Sequence, residues 1–197
     1  NMRAGKLRRC ADAAARAANQ SNVDWKRCDL TDALAVRDCV ASVAPDAVIN
    51  LAASGAAGAA VGFDELLKAN VLSTYNVIKA CKCVSSVRSF VQAGSGFEYA
   101  DLPSAIAETA ERTPNCDYGL SKALASDLCR LLAAHFAVTV LRVFSVYGPG
   151  EAGNRIAPYI ISRARDGREI DLTPGAQTRD YIYVRDLAKI FVRAATT

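Results

Sequence analysis

The sequence predicts an α/β fold with a mostly parallel sheet, because from residue 22 onward short β-rich runs alternate with longer helical ones. Size and composition agree. At 197 residues and 51% hydrophobic content the chain can fill one substantial core, and 22% charged residues is ordinary for a soluble domain.

Strands are expected at residues 23–28, 47–51, 89–93 and 138–143, with helices at 32–43, 63–82, 118–136 and 156–166. Thr31 is the expected N-cap of the helix at 32–43, and Pro45 stops it. The alanine-rich stretch 11–18 reads as a helix and not as a linker. After Gly167 come a strand-like 169–172, a turn at Thr173-Pro174-Gly175 and a β-branched and aromatic run at 181–184. No internal repeat or low-complexity linker is visible. The first twenty residues contain no apolar β-run, and a last helix has barely begun before Thr197, so an internal fragment of a longer domain is expected.

Several function classes are disfavoured by composition. The net charge of +4 is mild and the 24 basic residues are spread along the chain, so no nucleic-acid stripe is indicated. The seven cysteines form no Cys-x-x-Cys pair and His135 is the only histidine, so no zinc or other metal site is expected. Unpatterned cysteines, with no signal peptide and no apolar run of spanning length, point to a reducing cytoplasm and no membrane partner.

The most informative residues are Tyr118 and Lys122, in Asp117-Tyr118-Gly119-Leu120-Ser121-Lys122. Four apart on a helix, a phenol and an ammonium share one face. A cation at hydrogen-bonding range favours the phenolate, so Lys122 is expected to lower the Tyr118 pKa and let it move a proton at an alcohol or ketone oxygen. A dinucleotide fold normally carries phosphate-binding glycines between its first strand and first helix, and none precedes residue 23. The cluster Gly55-x-x-Gly58-x-x-x-Gly62 follows a strand, but the next strand ends in Gly94-Ser95 without the acid that would bind a ribose. It reads as a small-residue loop.

With Ser95, Tyr118 and Lys122 assembled, residues 22–197 resemble the extended short-chain dehydrogenase/reductase family, in its sugar-nucleotide epimerase, dehydratase and reductase group. Cys28-Asp29-Leu30-Thr31-Asp32 is similar to the segment whose aspartate contacts adenine, although Asp29 could also cap the following helix. Asn50-Leu51-Ala52-Ala53 resembles the strand end along the dinucleotide, with Asn50 where the family often has His. Asn70-Val71-Leu72-Ser73-Thr74-Tyr75-Asn76-Val77 resembles its Asn-Val-x-Gly-Thr-x-Asn helix, and Gly94-Ser95-Gly96-Phe97-Glu98-Tyr99 the segment with a catalytic Ser or Thr four residues before a tyrosine. The run 141–150, which includes Phe144 and Val146, resembles the strand and loop beside the nicotinamide. Gln177-Thr178-Arg179-Asp180-Tyr181 resembles the segment whose arginine holds the nucleotide diphosphate.

The resemblance implies an incomplete Rossmann-type doubly wound parallel sheet: a partial NAD(P)-binding domain at 1–153, part of a small C-terminal substrate lobe at 154–179, and a return to the first domain at 180–197. It implies NAD or NADP as cofactor, bound by Asp29, Leu30, Leu51, Ala52, Ala53, Asn70, Tyr118, Lys122, Phe144 and Val146. It also implies a nucleotide-sugar substrate held by Ser95 and Arg179, with Ser95, Tyr118 and Lys122 catalytic. A homodimer through the Tyr118 helix and the helix at 63–82 follows by analogy only. Cys116 is a lesser candidate for a second acid/base, and His135 reads as structural.

Relatives that dehydrate or decarboxylate the sugar carry acids directly after the catalytic Ser or Thr, where this chain has Gly96 and Phe97. Glu98, one residue later, would point to the opposite face of an extended segment unless a local kink turned it. C4 epimerisation and 4-keto reduction are therefore favoured over dehydration, and a non-catalytic dinucleotide-binding or scaffold relative is the reading from another class. Without the family's first strands the chain is expected to be poorly stable and to bind dinucleotide weakly, so thermal unfolding should be broad; a sharp cooperative transition would contradict this.

Overall fold

The computed structural model describes residues 23–55, 61–100, 105–132 and 134–197. The expected helix at 11–18 lies outside them. In chain order the elements are α1 (Ala33–Val43), β1 (Ala47–Asn50), α2 (Phe63–Leu66), a π-helical segment (Leu67–Leu72), α3 (Ser73–Cys81), β2 (Ser89–Ser95), a 3₁₀ turn (Gly96–Glu98), α4 (Asp117–Leu132), β3 (Ala137–Val143), β4 (Ser145–Tyr147), α5 (Ile156–Arg165), β5 (Tyr181–Tyr183) and α6 (Val184–Thr196).

Strands β1, β2 and β3 form a parallel sheet in that order, with Ala47 opposite Ser89 and Ser89 opposite Ala137. A parallel sheet is covered on both faces, and alternate residues of β2 divide between them. Phe90 joins a core with Val36 of α1, Val77 and Ile78 of α3, and Cys129 of α4. Val91 faces the other way, against Phe191 and Ala195 of α6. Burial pushes the Cys81 and Cys129 thiols up to about 11 and about 12, as expected of packing residues. Strands β4 and β5 make a second, two-stranded parallel ladder.

Several expectations are corrected. Residues 23–28 form no strand: a strand exists only through its ladder, and among the described residues nothing pairs with that edge of β1, while Cys28 and Leu30 pack on the core instead. The N-cap of α1 is Asp32, which accepts from the Leu34 and Ala35 amides at 3.0 and 3.1 Å. Thr31 turns back to donate its hydroxyl to Asp29 at 2.8 Å. Residues 169–172 are not a strand, for the same lack of a partner. Helix α4 is described as far as Leu132, and residues 134–136 lie outside any helix: β3 begins at Ala137, and the Phe136 ring lies 6.3 Å from that of Phe90. The last helix, α6, is thirteen residues long and packs across β1, β2 and β3.

The helix expected at 63–82 is interrupted by its π-helical segment. Ser73 Oγ and Thr74 Oγ1 donate to the Ala69 and Asn70 carbonyls at 2.6 and 2.7 Å, satisfying acceptors where the backbone pattern changes.

Candidate active site

All three parallel strands end on the same side, so the segments following β1, β2 and β3 border one crevice, the position where open α/β sheets hold ligands. Ser95 is the last residue of β2, and the 3₁₀ turn starts directly after it. Its hydroxyl accepts from the Phe97 amide at 3.2 Å, while Glu98 Oε1 accepts from the Ser95 amide at 2.9 Å. This reciprocal pair is a capping box. Glu98 therefore does not point away, as an extended segment would have required: the turn folds it inward to full burial. Ser-x-x-Glu was a readable signal for that turn.

Helix α4 brings the Tyr118 side chain near Ser95. The Tyr118 ring also meets Phe97 edge-on at 5.9 Å. This approach depends on Gly119, where a Cβ would stand 2.1 Å from the Phe97 carbonyl oxygen. Cys116 accepts from the Gly119 amide at 3.4 Å and closes the first turn of α4. Lys122, buried one turn further on, donates through Nζ to the Ala93 carbonyl of β2.

The electrostatics differ from the expectation drawn from spacing. Lys122 is committed to Ala93, and Tyr118 is not lowered but held above its ordinary value. Burial is the main cause; the nearby Ser95 hydroxyl opposes it, and Glu98 and Cys116 add to it. Lys122 lies below its ordinary value because burial disfavours its charge, with Glu98 partly restoring it. The resting site thus favours a neutral phenol.

Asn70 ties the crevice together from the π-helical segment. Its side chain accepts from the Ser54 amide at 2.8 Å and donates to the Ser54 carbonyl at 3.2 Å and to Ser121 Oγ at 2.9 Å. Ser121 Oγ in turn donates to the Tyr118 carbonyl at 2.8 Å. Asn50 is buried and donates to Gln92 Oε1 at 2.9 Å, leaving Leu51 exposed at the strand end beside Ala52 and Ala53. Asn76 donates to the Leu30 carbonyl at 3.0 Å and so fixes the turn carrying exposed Asp29, whose carboxyl Thr31 holds below its usual range. Phe144 stacks on Tyr99 at 6.5 Å and covers Gly96, where a Cβ would meet its ring at 2.6 Å; Val146 lies half-buried in β4.

These residues could line an extended dinucleotide: a turn with polar Asp29 and Thr31, an apolar segment at 51–53 just after β1, and an aromatic wall at 144. Gly55, with φ +85°, is pressed against Leu66 and the Tyr118 ring, and Gly58 lies outside the described residues. Arg179 is not brought to this crevice. It is exposed, and its guanidinium donates to the Thr178 carbonyl at 3.0 Å. A separate depression of about 780 Å³ lies between β4 and α5, lined by Tyr147, Pro149, Ile161, Arg165 and Tyr183 among others. Among the described residues no cluster could hold a metal ion, and no helix is long and apolar enough to cross a membrane.

The residues missed from sequence are those around Glu98. Its Oε2 accepts from Arg142 Nε at 3.2 Å and lies 3.6 Å from Arg112, which also pairs with Asp127. Only the capping signature hinted at this cluster.

A protein-family model described as the NAD dependent epimerase/dehydratase family matches residues 5–197. Among curated proteins, the dTDP-glucose 4,6-dehydratase of Neisseria gonorrhoeae is 26% identical over 187 residues, covering 87% of this chain and 54% of that protein. Of solved structures, MoeE5 in complex with UDP-glucose and NAD matches with a TM-score of 0.77 at 29% identity, over 87% of this chain and 58% of the other. UDP-glucuronic acid 4-epimerase from Bacillus cereus, in complex with UDP-glucuronic acid and NAD, shares the fold, with a TM-score of 0.84 at 22% identity over 97% of this chain and 61% of that one. The chain spans about half the length of the curated dehydratases it matches.

Two outcomes are expected from this geometry. The phenol of Tyr118, followed by ultraviolet titration as the difference between the protein and its Tyr118→Phe variant, should ionise above the pH at which a free tyrosine does. Gly119→Ala should displace the turn from α4 and lower the melting temperature, because the Phe97 carbonyl is backbone and cannot rotate away.

Proposed function

Because the chain belongs to the NAD dependent epimerase/dehydratase family, we propose that it serves an NAD-dependent enzyme acting on nucleotide sugars, by C4 epimerisation or 4-keto reduction. The observation that carries this reading is the meeting of Ser95 and Tyr118 at the carboxyl end of β2, with Lys122 buried one turn behind.

The nicotinamide cofactor supplies hydride transfer at the sugar carbon. The chain's residues supply position and proton movement. Tyr118 takes or gives the proton at the reacting sugar oxygen through its phenol. Ser95 accepts from the Phe97 amide, so its own hydroxyl proton is free to be aimed at Tyr118 or at that sugar oxygen. Residues Asp29, Leu30, Leu51, Ala52, Ala53, Asn70, Phe144 and Val146 would line the dinucleotide, and Lys122 its nicotinamide ribose. Burial holds Tyr118 above its ordinary value, so a nearby positive charge has to act before it can serve as a base at neutral pH. Arg179, exposed on its loop, would reach the substrate diphosphate as a bidentate donor.

Dehydration is the second reading, favoured by the similarity to dTDP-glucose 4,6-dehydratases. Against it, Gly96 and Phe97 cannot transfer protons, and both oxygens of Glu98 are occupied. Mass spectrometry of UDP-glucose incubated with protein and NAD separates the readings: epimerisation leaves the mass unchanged, whereas dehydration removes one water.

Tyr118→Phe should lower turnover of a nucleotide sugar by roughly a hundredfold or more while leaving NADH binding intact, followed by energy transfer from Trp25. Unchanged turnover would remove the acid/base role of Tyr118, whereas NADH binding without turnover in the unmodified protein would favour a dinucleotide-binding scaffold.

A further inference from the structure

Glu98 is the buried acid that the proposed chemistry leaves unused. It is fully buried, and its carboxylate has four neighbours: Oε1 accepts from the Ser95 amide at 2.9 Å and Ser126 Oγ at 3.0 Å, while Oε2 accepts from Arg142 Nε at 3.2 Å and lies 3.6 Å from Arg112. The surroundings are shaped around it. A Cβ at Gly94 would stand 2.7 Å from Oε1. Arg142 is held a second time by Tyr99, accepting at 2.8 Å, and Arg112 by Asp127 on α4. The carboxylate thereby links β2, the 3₁₀ turn, β3 and α4 at the point where Ser95 meets Tyr118.

A buried carboxylate is tolerated only when paired and fully hydrogen-bonded, and here every lone-pair direction in use reaches a different element. With both oxygens taken, Glu98 has no position from which to exchange a proton with a ligand. Its bond to the Ser95 amide restrains the backbone that carries the Ser95 hydroxyl.

We propose that Glu98 is a positioning residue: anchored by Arg142 and Arg112, its carboxylate fixes the Ser95 backbone and so the place where the Ser95 hydroxyl meets Tyr118. The proposal rests on the reading that Ser95 and Tyr118 act at the sugar oxygen. A hydrophobic residue at 98 could fill the same volume, but it could not restrain the strand end or bind the two guanidinium groups. The groups facing Tyr118 are Ser95 from β2, Glu98 from the turn and Cys116 before α4; Phe97 and Gly55 supply uncharged contacts, and Lys122 is turned to Ala93. Removing the Glu98 charge should therefore be felt at the phenol directly.

The test uses Glu98→Gln, with Ser95→Ala and Tyr118→Phe in parallel, and UDP-glucose with NAD as probe. In Glu98→Gln the difference titration of Tyr118 should move to lower pH and turnover should fall roughly tenfold or more, with NADH binding retained. An unmoved titration together with unchanged turnover would overturn the proposal, even if the melting temperature fell. Should the variant fail to fold, the unmodified protein decides: the Ser95 amide should be protected from hydrogen exchange and shifted downfield in NMR spectra, and exchange at the rate of an open loop would overturn the proposal. If Ser95→Ala and Tyr118→Phe leave turnover untouched, the functional reading fails, and the titration and amide measurements still decide whether Glu98 sets the geometry.

Discussion

Strand β2 is the reference to which the rest of the molecule is fixed. It pairs with β1 on one side and β3 on the other, and it is covered above and below. Phe90 and Val91, adjacent in sequence, anchor opposite cores, so a shift of one residue would exchange the two faces. The candidate chemistry is measured from the same strand. Lys122 docks on the Ala93 carbonyl, Ser95 is its last residue, and Glu98 folds back to hold the Ser95 amide. Placement of the site is thus a by-product of packing the sheet.

Charge is buried beneath this strand end, and its cost is met by geometry. Glu98 sits between Arg112 and Arg142, with Asp127 completing the set from α4. Removing one member of a buried pair typically costs about 3–5 kcal/mol, because the remaining charge loses its partner. The same burial explains the opposite displacements of Tyr118 and Lys122: each is driven toward its neutral form, the phenol upward and the ammonium downward. Spacing on a helix put the two residues on one face, but it could not show that the ammonium would find a backbone carbonyl first.

The parallel strands were legible because buried strands read as continuous apolar runs, and the order of the motifs put Ser95 and Tyr118 into one candidate site. What was not legible depended on partners distant in sequence. Residues 23–28 have a strand's composition, yet a strand needs a neighbour. The parity argument for Glu98 holds only for extended backbone, and the 3₁₀ turn is the local kink that it left open. Arg112 and Arg142 lie on either side of α4 in the chain, and nothing local marks them as partners of one carboxylate. Asn70 was identified from its motif, but its grip on Ser54 and Ser121 arises from a change in helical pitch that hydrophobic periodicity does not register.

That change of pitch gives one rod two working faces. In a regular α-helix each residue advances about 100° around the axis, so a single stripe persists along its length. The π-helical segment Leu67–Leu72 accommodates an extra residue and lets the stripe step sideways. Leu66, just before the step, and Asn70, within it, serve the crevice; downstream, Val77, Ile78 and Cys81 serve the core. The helix behaves as a jointed shaft whose two halves are indexed to different tasks, so its residue count in this stretch is a mechanical setting as much as a matter of length.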